Sequence, residues 1–168
     1  MAIVKLAEGT YSRPQDVIMA IEYIGNLKKC NHMIEGGRNI IDSITGNPYS
    51  IAEQFLTIQH GQRFNRRMYH LIISFEGLPE GFSLKFVYDV GQTVADMYQD
   101  YQSAFAVHED KEYLHIHMAL NNCPVFQDKP KLSCVLNLFG IQNRVEDMID
   151  SYLGYCENIL MKKWRVQY

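Results

Sequence analysis

Residues 103–121 read as two strands folded back on one another, and that reading limits what the rest of the chain can build. The first run, Ser103-Ala104-Phe105-Ala106-Val107-His108, ends in a histidine, and the second, Leu114-His115-Ile116-His117-Met118, alternates histidine with apolar residues. Successive side chains of a strand point to opposite faces, so His115 and His117 share one face while Leu114, Ile116 and Met118 take the other. The charged Glu109-Asp110-Lys111-Glu112 between the runs predicts a hairpin turn. An antiparallel return then carries His108 beside His115 and His117, because opposed residues lie about 5 Å apart across a ladder. Three neutral imidazole nitrogens at that spacing can hold a divalent ion and leave positions for water or a substrate oxygen, as a catalytic metal requires. A histidine pair alone is also what a half-exposed polar strand looks like; the third histidine and the apolar alternation set this one apart. Asn121 lies on the same face four residues past His117, placed to bind substrate or to cap the strand end.

Around this hairpin the chain alternates strand and helix signals. Residues 2–7 predict a strand, followed by a turn at Gly9-Thr10. Ser12 is the expected N-cap of a helix over Val17–Ile24, with Pro14 in its first turn, Asp16 near its positive end and Tyr23 near its close. A glycine-rich stretch, Glu35–Asn39, and a turn at Gly46-Asn47-Pro48 separate it from a second helical region, Ser50–Gln59. Met68–Phe75 predicts a central strand bounded by Gly77 and Pro79. Val87, Val90, Val94 and Met97 recur at helical spacing within Phe86–Tyr98. After Pro124 comes a loop with Pro130, then a helix over about Gln142–Met161. The summed order predicts an α+β sandwich: an antiparallel sheet flanked by helices, with the helices packing on one side.

Composition bounds the function. A chain of 168 residues, 47% of them hydrophobic, fits one globular domain over 1–168, with its motifs inside 2–122 and a motif-free helical region over 123–168. No run of 18 apolar residues occurs, and the start Met1–Leu6 turns polar too soon for a signal peptide, so a cytoplasmic protein without a membrane partner is expected. Cys30, Cys123, Cys134 and Cys156 lack paired spacing and are expected to be reduced thiols. A net charge of −3 argues against strong nonspecific attraction to nucleic acid. Any DNA contact must then use local basic patches: Lys28-Lys29, Arg63-Phe64-Asn65-Arg66-Arg67 and Lys162-Lys163-Trp164-Arg165.

Four segments, taken together and in order, resemble the mobilization relaxases, the HUH-type single-strand DNA nucleases of plasmids and mobile elements. Ala2-Ile3-Val4-Lys5, with Ala20-Ile21-Glu22-Tyr23-Ile24 and Lys29 six residues on, looks like that family's nucleophile motif. Glu35-Gly36-Gly37-Arg38-Asn39 falls where the family often has a glycine-asparagine turn. Tyr69-His70-Leu71-Ile72-Ile73-Ser74-Phe75 is similar to its second motif, whose serine lies near bound DNA. Asp100-Tyr101-Gln102, Ala106-Val107-His108, Asp110-Lys111 and His115-Ile116-His117 through Asn121 resemble the third, metal-binding motif.

The resemblance implies a metal-dependent transesterification. His108, His115 and His117 would hold Mg2+ or Mn2+, with Asp110 orienting one of them through its second nitrogen. Tyr23 would attack a phosphate at a transfer origin and stay joined to the 5′ end of the cut strand. Ser74, Lys29, Arg66, Arg67 and Asn121 are the expected DNA contacts. The expected partners are single-stranded DNA, an origin hairpin and accessory relaxosome proteins. The chain departs from the pattern at Tyr113, where many relatives have a further histidine, and at Cys30, where threonine or serine often follows the lysine. Tyr11 is the nearest rival to Tyr23, and His70 reads as a packed or surface histidine. Two other readings stand: a DNA-binding remnant that no longer cuts, and another HUH enzyme, a replication initiator or small transposase, served by Tyr152 or Tyr155.

Overall fold

The computed structural model describes residues 1–30, 33–76 and 83–165, with side chains to Asn158. The expected turn at Gly77 and Pro79 and the side chains of the Lys162–Arg165 patch lie outside the described residues. Five strands, β1 (Ala2–Leu6), β2 (Glu35–Arg38), β3 (Met68–Phe75), β4 (Tyr101–His108) and β5 (His115–Pro124), form one sheet in the order β1-β3-β5-β4-β2. Every neighbouring pair is antiparallel, which gives the α+β class expected.

Helices cover both faces, not one as the sequence suggested. α1 (Pro14–Ile24) and α2 (Pro48–Ile58) pack Val17, Ile21, Ile24, Ile51 and Phe55 against Met68, Ala104, Ala106 and Ala119. α3 (Leu84–Met97) and α4 (Leu138–Arg165) pack on the other face, where Leu71, Ile73, Phe105, Val107, Ile116, Met118 and Leu120 meet Val87, Val90, Val94, Ile141 and Val145. The alanines of β4 and β5 explain the difference. They are apolar but small, so α1 and α2 seat close to the sheet on the face that also carries the histidines. Each fully buried Leu, Ile, Val or Phe contributes roughly 1.5–3 kcal/mol.

Three boundaries move for physical reasons. The N-cap of α1 is Arg13, not Ser12, because a residue before proline is driven to extended backbone; Arg13 has φ −100° and ψ 152°, and its N–H donates to Asp16 Oδ2 at 2.9 Å. The glycine-rich stretch is strand β2, paired to β4 from Glu35↔Ala106 to Arg38↔Ser103. Glycine is required there because a Cβ on Gly36 would meet the Phe105 ring at 2.7 Å. The chain turns after it at Asn39, which adopts φ 54° and ties Nδ2 to the carbonyls of Gln99 and Tyr101 at 2.7 and 2.8 Å. α4 starts four residues before Gln142, where Asn137 Oδ1 accepts from the N–H of Gly140 at 3.0 Å and so absorbs the glycine into a capped first turn.

α4 also closes the open edge of β1. Gln142 Oε1 accepts from Val4 N–H at 2.9 Å, Gln142 Nε2 donates to Ala2 O at 2.8 Å, and Glu146 Oε1 accepts from Ala2 N–H at 3.0 Å. These side chains occupy backbone groups that an edge strand would otherwise offer to another chain. Cys30, Cys123, Cys134 and Cys156 are unpaired thiols. Among the described residues, no helix is long and apolar enough to cross a membrane.

Candidate metal and nucleophile site

The hairpin register opposes His108 to His115 and Ala106 to His117, so the three histidines stand on one sheet face. Their ring centroids lie 4.3 Å (His108 to His117), 5.0 Å (His115 to His117) and 5.5 Å (His108 to His115) apart. One nitrogen from each lies within 4.8 Å of the others. All three side chains are buried.

The other nitrogen of each ring is tied from behind. His108 Nε2–H donates to the carbonyl of Ile24 at 2.8 Å, one of the carbonyls that the last turn of α1 leaves free. His115 Nδ1–H donates to the carbonyl of Tyr113 at 2.9 Å. His117 Nδ1 meets His70 Nε2 at 2.7 Å. The first two bonds leave lone pairs on His108 Nδ1 and His115 Nε2. Among the described residues only three buried side-chain nitrogens and oxygens lack a hydrogen-bond partner, and two of them are His108 Nδ1 and His115 Nε2. A buried polar atom left unsatisfied costs about 1–3 kcal/mol, so two such nitrogens turned toward one point fit a metal ion. Burial also lowers the imidazoles: His70 to about 4, His117 to about 2, and His108 below its ordinary value, so the rings are neutral and competent as ligands.

Tyr23 lies at the edge of this cluster. On α1 the residues Val17, Ala20, Ile21 and Ile24 face the sheet, which leaves Tyr23 on the flank with 38% of its surface exposed. Its ring centroid is 5.3 Å from His117, 5.5 Å from His108 and 6.1 Å from His70. Lys29 Nζ stands 5.0 Å from the centre of the Tyr23 ring and donates to Asp110 Oδ2 at 2.5 Å. That hydrogen bond raises the Lys29 ammonium above its usual range and holds the Asp110 carboxyl below its own. Tyr23 also borders a cleft of about 660 Å³ lined by Gly9, Tyr11, Met19, His70, Ile72 and His117.

The remaining expected residues separate into two groups. Asp110 stands on the inner side of the histidines: its Oδ1 is 3.4 Å from His115 Nε2 without a hydrogen bond, while the second nitrogen of that ring is held by Tyr113. The carboxylate therefore faces the converging lone pairs instead of bracing a ring from behind. Ser74 opposes His115 across the β3–β5 ladder and is half-buried at the strand end. Arg66 is half-buried, its guanidinium 5.1 Å from the ring of Tyr69 and 5.9 Å from that of Tyr11. Arg67 and Asn121 are used inside the fold. Arg67 donates to the carbonyl of Ser12 and to Gln59 Oε1, both at 3.0 Å. Asn121 is 0% exposed beneath α2; it donates to Phe55 O (3.2 Å) and Gln102 Oε1 (3.0 Å) and accepts from Gln59 Nε2 (2.7 Å) and Cys123 N–H (2.9 Å). With its hydrogen bonds taken and no surface, Asn121 has nothing to offer a DNA strand. His70 is the residue whose part the sequence understated: it shares the histidine face by the same period of two.

An antiparallel sheet presenting three converging imidazoles with an exposed tyrosine at their edge is the arrangement of an HUH-type nuclease. The relaxase family of MobA/VirD2-like nuclease domains matches residues 23–129, from Tyr23 past the end of β5, and the chain belongs to that family. The family is one of DNA-nicking enzymes, and the three-histidine cluster is compatible with a divalent metal. No curated protein matches the chain.

Proposed function

We propose that the chain is a site- and strand-specific nicking-joining enzyme acting on single-stranded DNA, including a hairpin, at the transfer origin of a plasmid or mobile element. The reading rests on one observation above all: Tyr23 is a half-exposed phenol within 5.3 and 5.5 Å, ring to ring, of His117 and His108. A phenol is a weak nucleophile near neutral pH and needs such a neighbourhood to act.

His108 through Nδ1, and His115 and His117 through Nε2, would hold the ion. Three imidazoles suit Mn2+ better than Mg2+, which favours oxygen ligands. Bound there, a divalent ion supplies Lewis-acid polarisation of the scissile phosphate. The Tyr23 oxygen attacks phosphorus and its proton passes to solvent; the tyrosyl O–P bond forms, the P–O3′ bond breaks, and the 3′ oxygen leaves protonated as a hydroxyl. The 5′-phosphotyrosyl ester keeps the bond energy, so the 3′ hydroxyl can reverse the step and reseal the strand. Lys29, pinned by Asp110, keeps an ammonium beside the Tyr23 ring where negative charge develops on the phenol oxygen. Ser74, opposite His115, and Arg66, beside the rings of Tyr11 and Tyr69, would receive a backbone phosphate and a stacked base.

The alternatives have less behind them. A non-cutting remnant expects a buried tyrosine, and Tyr23 is 38% exposed. An initiator or transposase reading needs a tyrosine of α4 at the histidines, yet Tyr152 packs on Phe86, with ring centroids 4.5 Å apart, against the core on the opposite face.

The test uses a supercoiled plasmid carrying the DNA that flanks this coding sequence in its native element, incubated with the protein and Mn2+. Primer run-off should find one nick on one strand, lost with EDTA and with Tyr23→Phe. A nick that survives Tyr23→Phe refutes the nucleophile assignment. Binding without any nick favours the remnant.

A further inference from the structure

We infer that Tyr11 and His70 form a hydrogen-bond relay that sets the tautomer of His117, and so act as positioning residues for the metal site. The inference rests on the proposed metal site and extends it by one layer.

Only one order of donors turns all three contacts of Tyr11, His70 and His117 into hydrogen bonds. Tyr11 Oη lies 3.2 Å from the carbonyl of Glu8, which can only accept, so the phenol proton is directed there. The same oxygen lies 3.2 Å from His70 Nδ1 and, its proton spent, accepts from Nδ1–H. A neutral imidazole carries one proton, so His70 Nε2 is then an acceptor, and at 2.7 Å it takes the Nδ1–H of His117. What is left on His117 is the Nε2 lone pair, on the side of the ring away from His70. Reversing the order would put the proton of His117 on Nε2 and spoil it as a ligand.

The fold has gone out of its way to hold this chain of groups. Tyr11 adopts φ 45°, unfavourable for a bulky residue, and its carbonyl accepts from Arg67 N–H at 2.8 Å. His70 is 5% exposed and opposes Ala119, whose small side chain leaves room for the two rings to meet with centroids 5.0 Å apart. His108 and His115 are held by backbone carbonyls, which have no tautomer to choose. His117 alone depends on a side chain that could present either a donor or an acceptor, so it alone needs a third group to decide. Hydrogen-bond partners of metal-bound histidines typically change metal affinity by about 10- to 100-fold when removed.

Two measurements on the full chain test the relay. In metal-free protein, two-bond 1H–15N spectra should show both His117 and His70 protonated on Nδ1; His117 protonated on Nε2 overturns the inference whether or not a metal binds. Calorimetric titration with Mn2+ should show about 10- to 100-fold weaker binding for His70→Leu, with most of the affinity restored in His70→Gln, whose amide oxygen can accept from His117. Tyr11→Phe, at a partly exposed site, should weaken Mn2+ binding several-fold and add the Nε2–H form of His117 to the spectra. Wild-type affinity in Tyr11→Phe and His70→Leu together overturns the relay while leaving the metal site standing. A wild-type protein that does not bind Mn2+ overturns the metal site, and the tautomer spectra then decide the relay by themselves.

Discussion

Acidification should destabilise the metal-free protein through its buried histidines. Burial holds His70 at about 4 and His117 at about 2, against an ordinary imidazole value of 6.5, and the charge of His108 adds to both. Because the folded values lie below the unfolded one, the unfolded chain takes up protons that the folded chain refuses. The stabilisation is therefore complete above pH 6.5 and is lost as the pH falls from there toward the folded values. At pH 5 the linkage amounts to about 2 kcal/mol for each ring, or about 4 kcal/mol for the two. A domain of this kind holds only about 5–15 kcal/mol in total, and about 1 kcal/mol moves the melting temperature by roughly 2–4 °C, so the midpoint should fall by about 8–16 °C. The assay is thermal melting in EDTA between pH 7.5 and 5, beside the double variant His70→Gln/His117→Asn, which should lose most of the slope. Saturating Mn2+ should raise the midpoint at pH 7.5, because it binds the folded chain and not the unfolded one. A wild-type midpoint that stays within about 2 °C across this range, or a double variant that keeps the full slope, would refute the reasoning.

Two further perturbations separate structure from chemistry. Asn121→Ala strands Gln102 Oε1, Phe55 O and Cys123 N–H in a buried layer and should cost roughly 3–6 kcal/mol in urea denaturation; a loss below about 1 kcal/mol contradicts the network. Lys29→Met, beside the Tyr23 ring, should slow strand cleavage about 100-fold while oligonucleotide binding changes only a few-fold; a loss in binding alone would make Lys29 a simple phosphate contact.

Much of this architecture was legible because periodicity carries it. β3 runs over the very residues Met68–Phe75 that the β-branched and aromatic run marked, and the histidine hairpin closes with the register that a period of two requires. Period reports which face a side chain takes but not what covers that face. Asn121 does share the face of His115 and His117, yet α2 lies over it and turns an expected DNA contact into a buried cross-link. The same gap hid the two-sided packing, since Ala104, Ala106 and Ala119 look neutral in a sequence and become helix seats only when α1 and α2 arrive. β2 is not legible in the sequence because Glu-Gly-Gly-Arg has little strand propensity; what selects glycine there is the Phe105 ring of a neighbouring strand. His70 needed the strand order as well as its own period, because its partner His117 comes 47 residues later on the adjacent strand.

The most direct test of the account is to catch the protein on its DNA. Cells carrying the native element are stopped with denaturant, the protein is purified under denaturing conditions and treated with nuclease, and its peptides are weighed. The account predicts a nucleotide remnant joined through phosphate to the peptide containing Tyr23, absent from Tyr23→Phe. A remnant on Tyr11, Tyr152 or Tyr155, or one that persists in Tyr23→Phe, would contradict it.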